Sequence, residues 1–100
     1  MGVSHVVYEI LVQTVDPARR DEYVQVFKRA LREWNPTGFH GGKACPSVED
    51  PTRVVMILEW DSVEAHTSHR GTPAHTRFRE TFSPYQTAPT QLHHYTIEDL

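Results

Sequence analysis

His66, His69 and His75 fall within ten residues of one another, directly after an apolar run that ends in Glu59-Trp60. Histidine changes charge near neutral pH, so such a cluster is suited to moving protons. His75 follows Thr72-Pro73-Ala74, a sequence that opens a helix, and so sits in its first turn. The positive end of the helix dipole disfavours an imidazolium there. A neutral imidazole with a pKa at or below about 6.5 is a competent general base. His66 and His69 are three apart and share a helix face. That spacing could hold a metal, but a catalytic zinc needs a third protein ligand, and no carboxylate or cysteine stands at a telling spacing. No metal is therefore expected, and on the bland alternative both are surface histidines of a short helix. Trp60 is either a core residue or a flat pocket wall whose N–H finds an acceptor. Cys45 has no neighbouring base to activate it, and no phosphate loop, dinucleotide fingerprint or nucleophile elbow is present.

The elements that must position these groups read as alternating strands and helices. Residues 5–15 are rich in β-branched side chains. Val6, Tyr8, Ile10, Val12 and Thr14 point one way, and Val7, Glu9, Leu11, Gln13 and Val15 the other. Asp16-Pro17 opens a helix over 17–34, with Tyr23, Phe27, Ala30, Leu31 and Trp34 on one stripe. A weaker strand is expected over 39–48, where Gly41-Gly42 suggests a bulge or a close approach of backbone. The strongest strand covers 53–60. Asp61 or Ser62 caps a short helix, Thr72-Pro73 opens another, and Ser83-Pro84 ends it. Residues 90–97 form a last strand. There His93 and His94 point to opposite faces, one toward the helices and one away.

This β-α-β-β-α-β order predicts the ferredoxin-like split βαβ arrangement, an α+β fold with helices on one face of a four-stranded antiparallel sheet. Strands apolar on both faces then need a second cover, so a homodimer is expected, packed sheet to sheet into a barrel. At 100 residues the chain is expected to be one domain, residues 1–100, large enough to bury about two thirds of its unfolded surface. A net charge of −3 without a basic run argues against nucleic acid. No apolar run reaches the roughly 18 residues of a membrane span, and the first residues do not read as a signal peptide. The single cysteine fits a reducing, cytoplasmic setting.

The run PTRVVMILEWDSVEAHTSHRGTPAH, with DPARRDEYVQVFKRALREW and PTGFHGGKA before it, resembles the antibiotic biosynthesis monooxygenase superfamily over nearly the whole chain. The resemblance implies a dimeric α+β barrel. It also implies oxygenation of quinols, anthrones or similar aromatic polyketide-like substrates by molecular oxygen, with no cofactor. Trp60 falls on a tryptophan used by an oxygenase of that family, while Met56 and His66 stand where its pattern has asparagine and tyrosine. The asparagine and histidine of the haem-degrading branch have no counterpart. The segment from Ser62-Val63-Glu64 to Pro73-Ala74-His75 is also similar to the stress-responsive barrel (Dabb) family, which includes a polyketide cyclase. Its catalytic histidine falls on His75 and its partner tyrosine on His69.

The expected catalytic residues are thus His75, His69 and Trp60. His75 serves as base, His69 orients it or shares its proton, and His66 matters little to the rate. Tyr8, His66, Met56, Tyr95 and Phe78 are expected to contact substrate, with Tyr8 and Trp60 walling one dry cavity and Tyr95 facing the same space. Oxygenation is the first expectation and aldol-type cyclisation the second. A non-catalytic small-molecule binding or stress-response module is the third.

Overall fold

The structure, a computed structural model, describes residues 6–100; His5 lies outside the described residues. Strand β1 is Val7–Thr14, β2 Phe39–Pro46, β3 Arg53–Trp60 and β4 Gln91–Tyr95, and helices α1, α2 and α3 are Arg20–Trp34, Val63–Thr67 and Pro73–Phe82. The strands form one antiparallel sheet in the order β2-β3-β1-β4. This is the ferredoxin-like α+β arrangement, with the second helical segment broken in two.

The pairing register fixes which side chains share a face. Glu9 stands opposite Leu58 on β3 and opposite His94 on β4, and Val7 stands opposite Trp60. Glu9, Leu11, Gln13, Met56, Leu58, Trp60, Leu92 and His94 therefore face the helices, because directly paired residues project to the same side. Tyr8, Ile10, Val12, Val55, Ile57, His93 and Tyr95 occupy the outer face. Its apolar members on β1 and β3 are only half-buried.

The 3-10 turn before α1, and α2 and α3 themselves, begin where the sequence supplies a cap. Asp16 accepts from the Ala18 N–H at 2.9 Å, and Pro17 opens a single 3-10 turn that leads into α1. Asn35 closes α1 in the left-handed region, its N–H donating to the Leu31 carbonyl. Tyr23, Phe27 and Ala30 of α1 meet Phe78 and Phe82 of α3 in the core, with Phe27 and Phe82 ring centroids 4.8 Å apart. β2 is the least covered strand. Its pairing with β3 slips between Phe39 and Gly41, and a Cβ at Gly42 would collide with the Ile57 carbonyl, so the glycine pair makes both the bulge and the close approach. β2 and β4 each stop two residues short of the sequence expectation, and Val48 and Ile97 are exposed.

Candidate active site: a cavity beneath alpha 3

A cavity of about 400 Å³ lies between the helix face of the sheet and α2–α3, walled by Glu9, Trp34, Trp60, His66, Arg70, His75 and Phe78 among others. Trp60, the last residue of β3, is 0% exposed and forms its floor. Its indole N–H donates to Glu9 Oε1 at 2.9 Å. The tryptophan is at once a wall and a hydrogen-bonded core residue.

Ser62 accepts from the Ala65 N–H at 3.0 Å and starts α2, only five residues long. One turn of helix from this cap turns His66 back onto the sheet. Its ring stacks on Trp60 with centroids 5.0 Å apart and planes 29° from parallel. His66 is 4% exposed, so it is not the surface histidine that the sequence allows. It places Nε2 3.3 Å from Glu9 Oε1 and Nδ1 2.7 Å from His94 Nε2. Both ring nitrogens are thus engaged, and among the described residues no group of three or more His, Cys, Asp or Glu could hold a metal ion.

Burial sets the protonation of this cluster. Glu9 is 4% exposed, and burial pushes its carboxyl up to about 7, against the opposing pull of the Trp60 N–H and the Arg70 charge. His66 is pushed down to about 4 by burial first, then by the positive charges at His94, Arg70, His75 and His69. Burial, Arg70 and His93 hold His94 below the ordinary histidine value. His75, in the first turn of α3, is likewise held down by burial, with Arg79, Arg70 and His69 adding to it. Thr72 fixes that turn by accepting from the His75 N–H at 3.2 Å. Near neutral pH the cavity therefore presents neutral imidazoles and one half-ionised carboxyl.

His69 takes another position. Its Nε2 donates to the Thr37 carbonyl at 2.9 Å, and its ring wedges against Trp34 and Trp60 at 5.3 and 5.7 Å. It braces the turn before β2 and is not among the cavity walls. Phe78 is a wall, stacked on Trp34 at 4.8 Å. The structure thus brings together Trp60, His66, His75 and Phe78.

Three expected contacts lie elsewhere. Tyr8 pairs directly with Tyr95, so the two do share a side, but it is the outer face of the sheet. The pleat is the reason: Trp60 pairs with Val7, so its neighbour Tyr8 must project the opposite way. Tyr95 is 47% exposed there. Met56 faces the helices but is buried beneath α1, where it walls a separate cavity of about 310 Å³ toward β2. His40 pairs with Asp61 and is exposed, and Cys45 is exposed on edge strand β2.

The site also contains groups that the histidine cluster did not point to. Glu9 and Arg70 are walls, and His94 stands behind His66. Glu9 carried a signal: it is the one charged residue in phase with Val7, Leu11 and Val15 on the buried side of β1.

Comparison with known proteins agrees with this architecture. The structure superposes on a candidate antibiotic biosynthesis monooxygenase from Bordetella bronchiseptica with a TM-score of 0.86 and 23% identity, covering 94% of this chain and 98% of that one. It is similar to SnoaB, a cofactor-independent oxygenase from Streptomyces nogalater, with a TM-score of 0.77 and 18% identity over 96% of each chain. A candidate antibiotic biosynthesis monooxygenase from Nitrosomonas europaea gives 0.76 and 17% identity, covering 95% and 92% of the two chains. No curated protein matches by sequence. The family model for antibiotic biosynthesis monooxygenase matches residues 6–81, and the chain belongs to that family.

Proposed function

We propose that the protein is a cofactor-independent monooxygenase that oxidises a quinol, anthrone or similar aromatic polyketide-like substrate with molecular oxygen. The observation that carries this reading is a cavity with a cluster of aromatic rings and a neutral base on its wall. Trp60, Trp34 and Phe78 offer flat surfaces to a planar substrate, and His75 stands beside them with its imidazole held neutral. His75 removes a phenolic proton, and the resulting electron-rich anion reduces oxygen directly. Recombination at carbon forms a C–O bond and a substrate peroxide. That peroxide takes up a proton, and a base removes the remaining hydrogen of the same carbon as a proton. The C–H electron pair forms the carbonyl as the O–O bond breaks, and the departing hydroxide takes up that proton and leaves as water. The substrate supplies all the electrons, so no metal or flavin is required.

The similarity to SnoaB supports the same direction at the level of the fold. A second copy of the chain covers the outer face, where Tyr8, Ile10 and Tyr95 then serve the interface and not the substrate. Oxygen uptake is the test, measured with a panel of quinols and anthrones in chelated, metal-free buffer. Uptake with one labelled oxygen atom in the product supports the reading. Product that has lost water without consuming oxygen overturns it in favour of cyclisation, and unchanged ligand with measurable affinity overturns it in favour of a binding module.

A further inference from the structure

Glu9, His66 and His94 form a continuous chain of proton-exchanging atoms running from the cavity floor to the edge of the sheet. Glu9 is a cavity wall. His66 touches Glu9 Oε1 through Nε2 and His94 Nε2 through Nδ1, at 3.3 and 2.7 Å. His94 is not a cavity wall; it lies half-buried on edge strand β4, on the far side of His66. We propose that these three residues are a proton wire that loads and unloads Glu9 from the edge of the sheet.

The 3.3 Å approach of His66 Nε2 to Glu9 Oε1 and the 2.7 Å hydrogen bond between His66 Nδ1 and His94 Nε2 permit two states that differ by one proton. In the first, Glu9 is a carboxylate, His66 carries its proton on Nε2 and donates it to Glu9, and His94 donates from Nε2 to His66 Nδ1. In the second, Glu9 is a carboxylic acid donating to His66 Nε2, and His66 carries its proton on Nδ1 and donates to His94 Nε2. One arriving proton converts the first into the second. It binds His94 at Nδ1, the Nε2 proton of His94 moves to His66 Nδ1, and the Nε2 proton of His66 moves to Glu9. Both rings end neutral, in the other tautomer. The reverse sequence exports the proton.

A wire of this kind needs a buried terminus that titrates near working pH and relays that stay uncharged. The groups facing Glu9 are Trp60 on β3, His66 on α2, His94 on β4 and Arg70 after α2, with His75 across the cavity on α3. Burial outweighs Arg70 and the indole at Glu9, and burial with the surrounding positive charges keeps His66 and His94 neutral. On the oxygenase reading, on which only the purpose of the proton rests, protonated Glu9 is the acid that returns a proton to the substrate peroxide.

The test needs no substrate. In protein with labelled histidine rings and glutamate carboxyls, magnetic resonance across pH 5 to 9 should show Glu9 titrating near 7. His66 should remain neutral over that range but exchange Nε2–H for Nδ1–H at the same midpoint. Glu9→Gln, which keeps an acceptor for Trp60, should abolish the tautomer change. His94→Leu should slow exchange of the His66 ring proton with water until opening of the fold limits it. An ordinary carboxylate midpoint for Glu9 overturns the proposal. So does a His66 tautomer indifferent to Glu9, or ring exchange unchanged in His94→Leu. With a substrate in hand, Glu9→Gln should lower kcat by about 10²-fold and remove the limb of its pH profile near 7. A protein that takes up no oxygen but shows the linked titration defeats the oxygenase reading and leaves the wire standing.

Discussion

Trp60 and Glu9 lie 51 positions apart in sequence and meet at 2.9 Å, indole N–H to carboxyl oxygen, on the floor of the cavity. The bond exists because β1 and β3 are central neighbours, and their register sets Trp60 two pairs along the ladder from Glu9, on the same face. Trp60→Phe would leave Glu9 without its strongest donor while keeping a flat ring. An unsatisfied buried group costs about 1–3 kcal/mol. Denaturant unfolding should show a loss of that order, and the Glu9 carboxyl should titrate higher than in the wild type, since the indole bond is what lowers it. Unchanged stability would mean that the bond is not held in solution.

Glu9 and His66 impose opposite pH dependences on folding. Glu9 is raised from 4.5 to about 7, so between those values unfolding releases a proton and stability falls as pH rises. His66 is lowered from 6.5 to about 4, so between those values unfolding takes up a proton and stability rises with pH. Each slope is at most about 1.4 kcal/mol per pH unit, and across pH 4.5 to 6.5 they oppose. Glu9→Gln removes only the first. The stability difference between variant and wild type should therefore shift in the variant's favour from pH 4.5 to 7 and level off above. A difference that stays constant over this range would place Glu9 at its ordinary value.

His75→Ala should reduce turnover by about 10²–10⁴-fold, the usual contribution of a positioned base. The thermal midpoint should move little, because the ring is half-buried and the Thr72 cap uses the backbone N–H. The wild-type rate should rise with pH through an apparent midpoint below the ordinary histidine value of 6.5. His69→Ala should behave differently and cost stability, since it loses the bond to Thr37. Full activity in His75→Ala would assign the base elsewhere in the cavity.

The outer face of the sheet predicts the assembly state. With Ile10, Val12, Val55 and Ile57 half-buried and no helix among the described residues over them, a second copy packed face to face is the expected cover. Sedimentation at micromolar concentration should give twice the chain mass, and Ile57→Lys should give the single-chain mass. A wild-type monomer at high concentration would refute this.

Much of the fold was legible in the residues. The strand alternation, the Asp16-Pro17 and Thr72-Pro73 helix starts, the Gly41-Gly42 bulge and the opposite facing of His93 and His94 all appear as the patterns imply. The site was legible in part, and its gaps have physical causes. A strand pattern says that Tyr8 and Glu9 face opposite ways but not which face the helices cover, so Tyr8 looked like a wall and Glu9 like scaffold. A single turn of helix gives no stripe from which to read its buried side, so His66 could not be told from a surface residue. His94 entered the site through pairing with Glu9 across β1 and β4, a register that only the folded sheet reveals.

The two tryptophans of the chain both wall the same cavity, their rings 6.2 Å apart. Excited at the red edge of the indole band, where tyrosine does not absorb, the protein's emission therefore arises entirely at the site. Trp60 carries a histidine stacked on its face and a titrating carboxyl on its N–H. Its fluorescence is a built-in indicator of the charge on Glu9 and of whatever enters beside it. Trp34→Phe isolates that signal, so the occupancy and protonation of the cavity can be followed optically in the unlabelled protein.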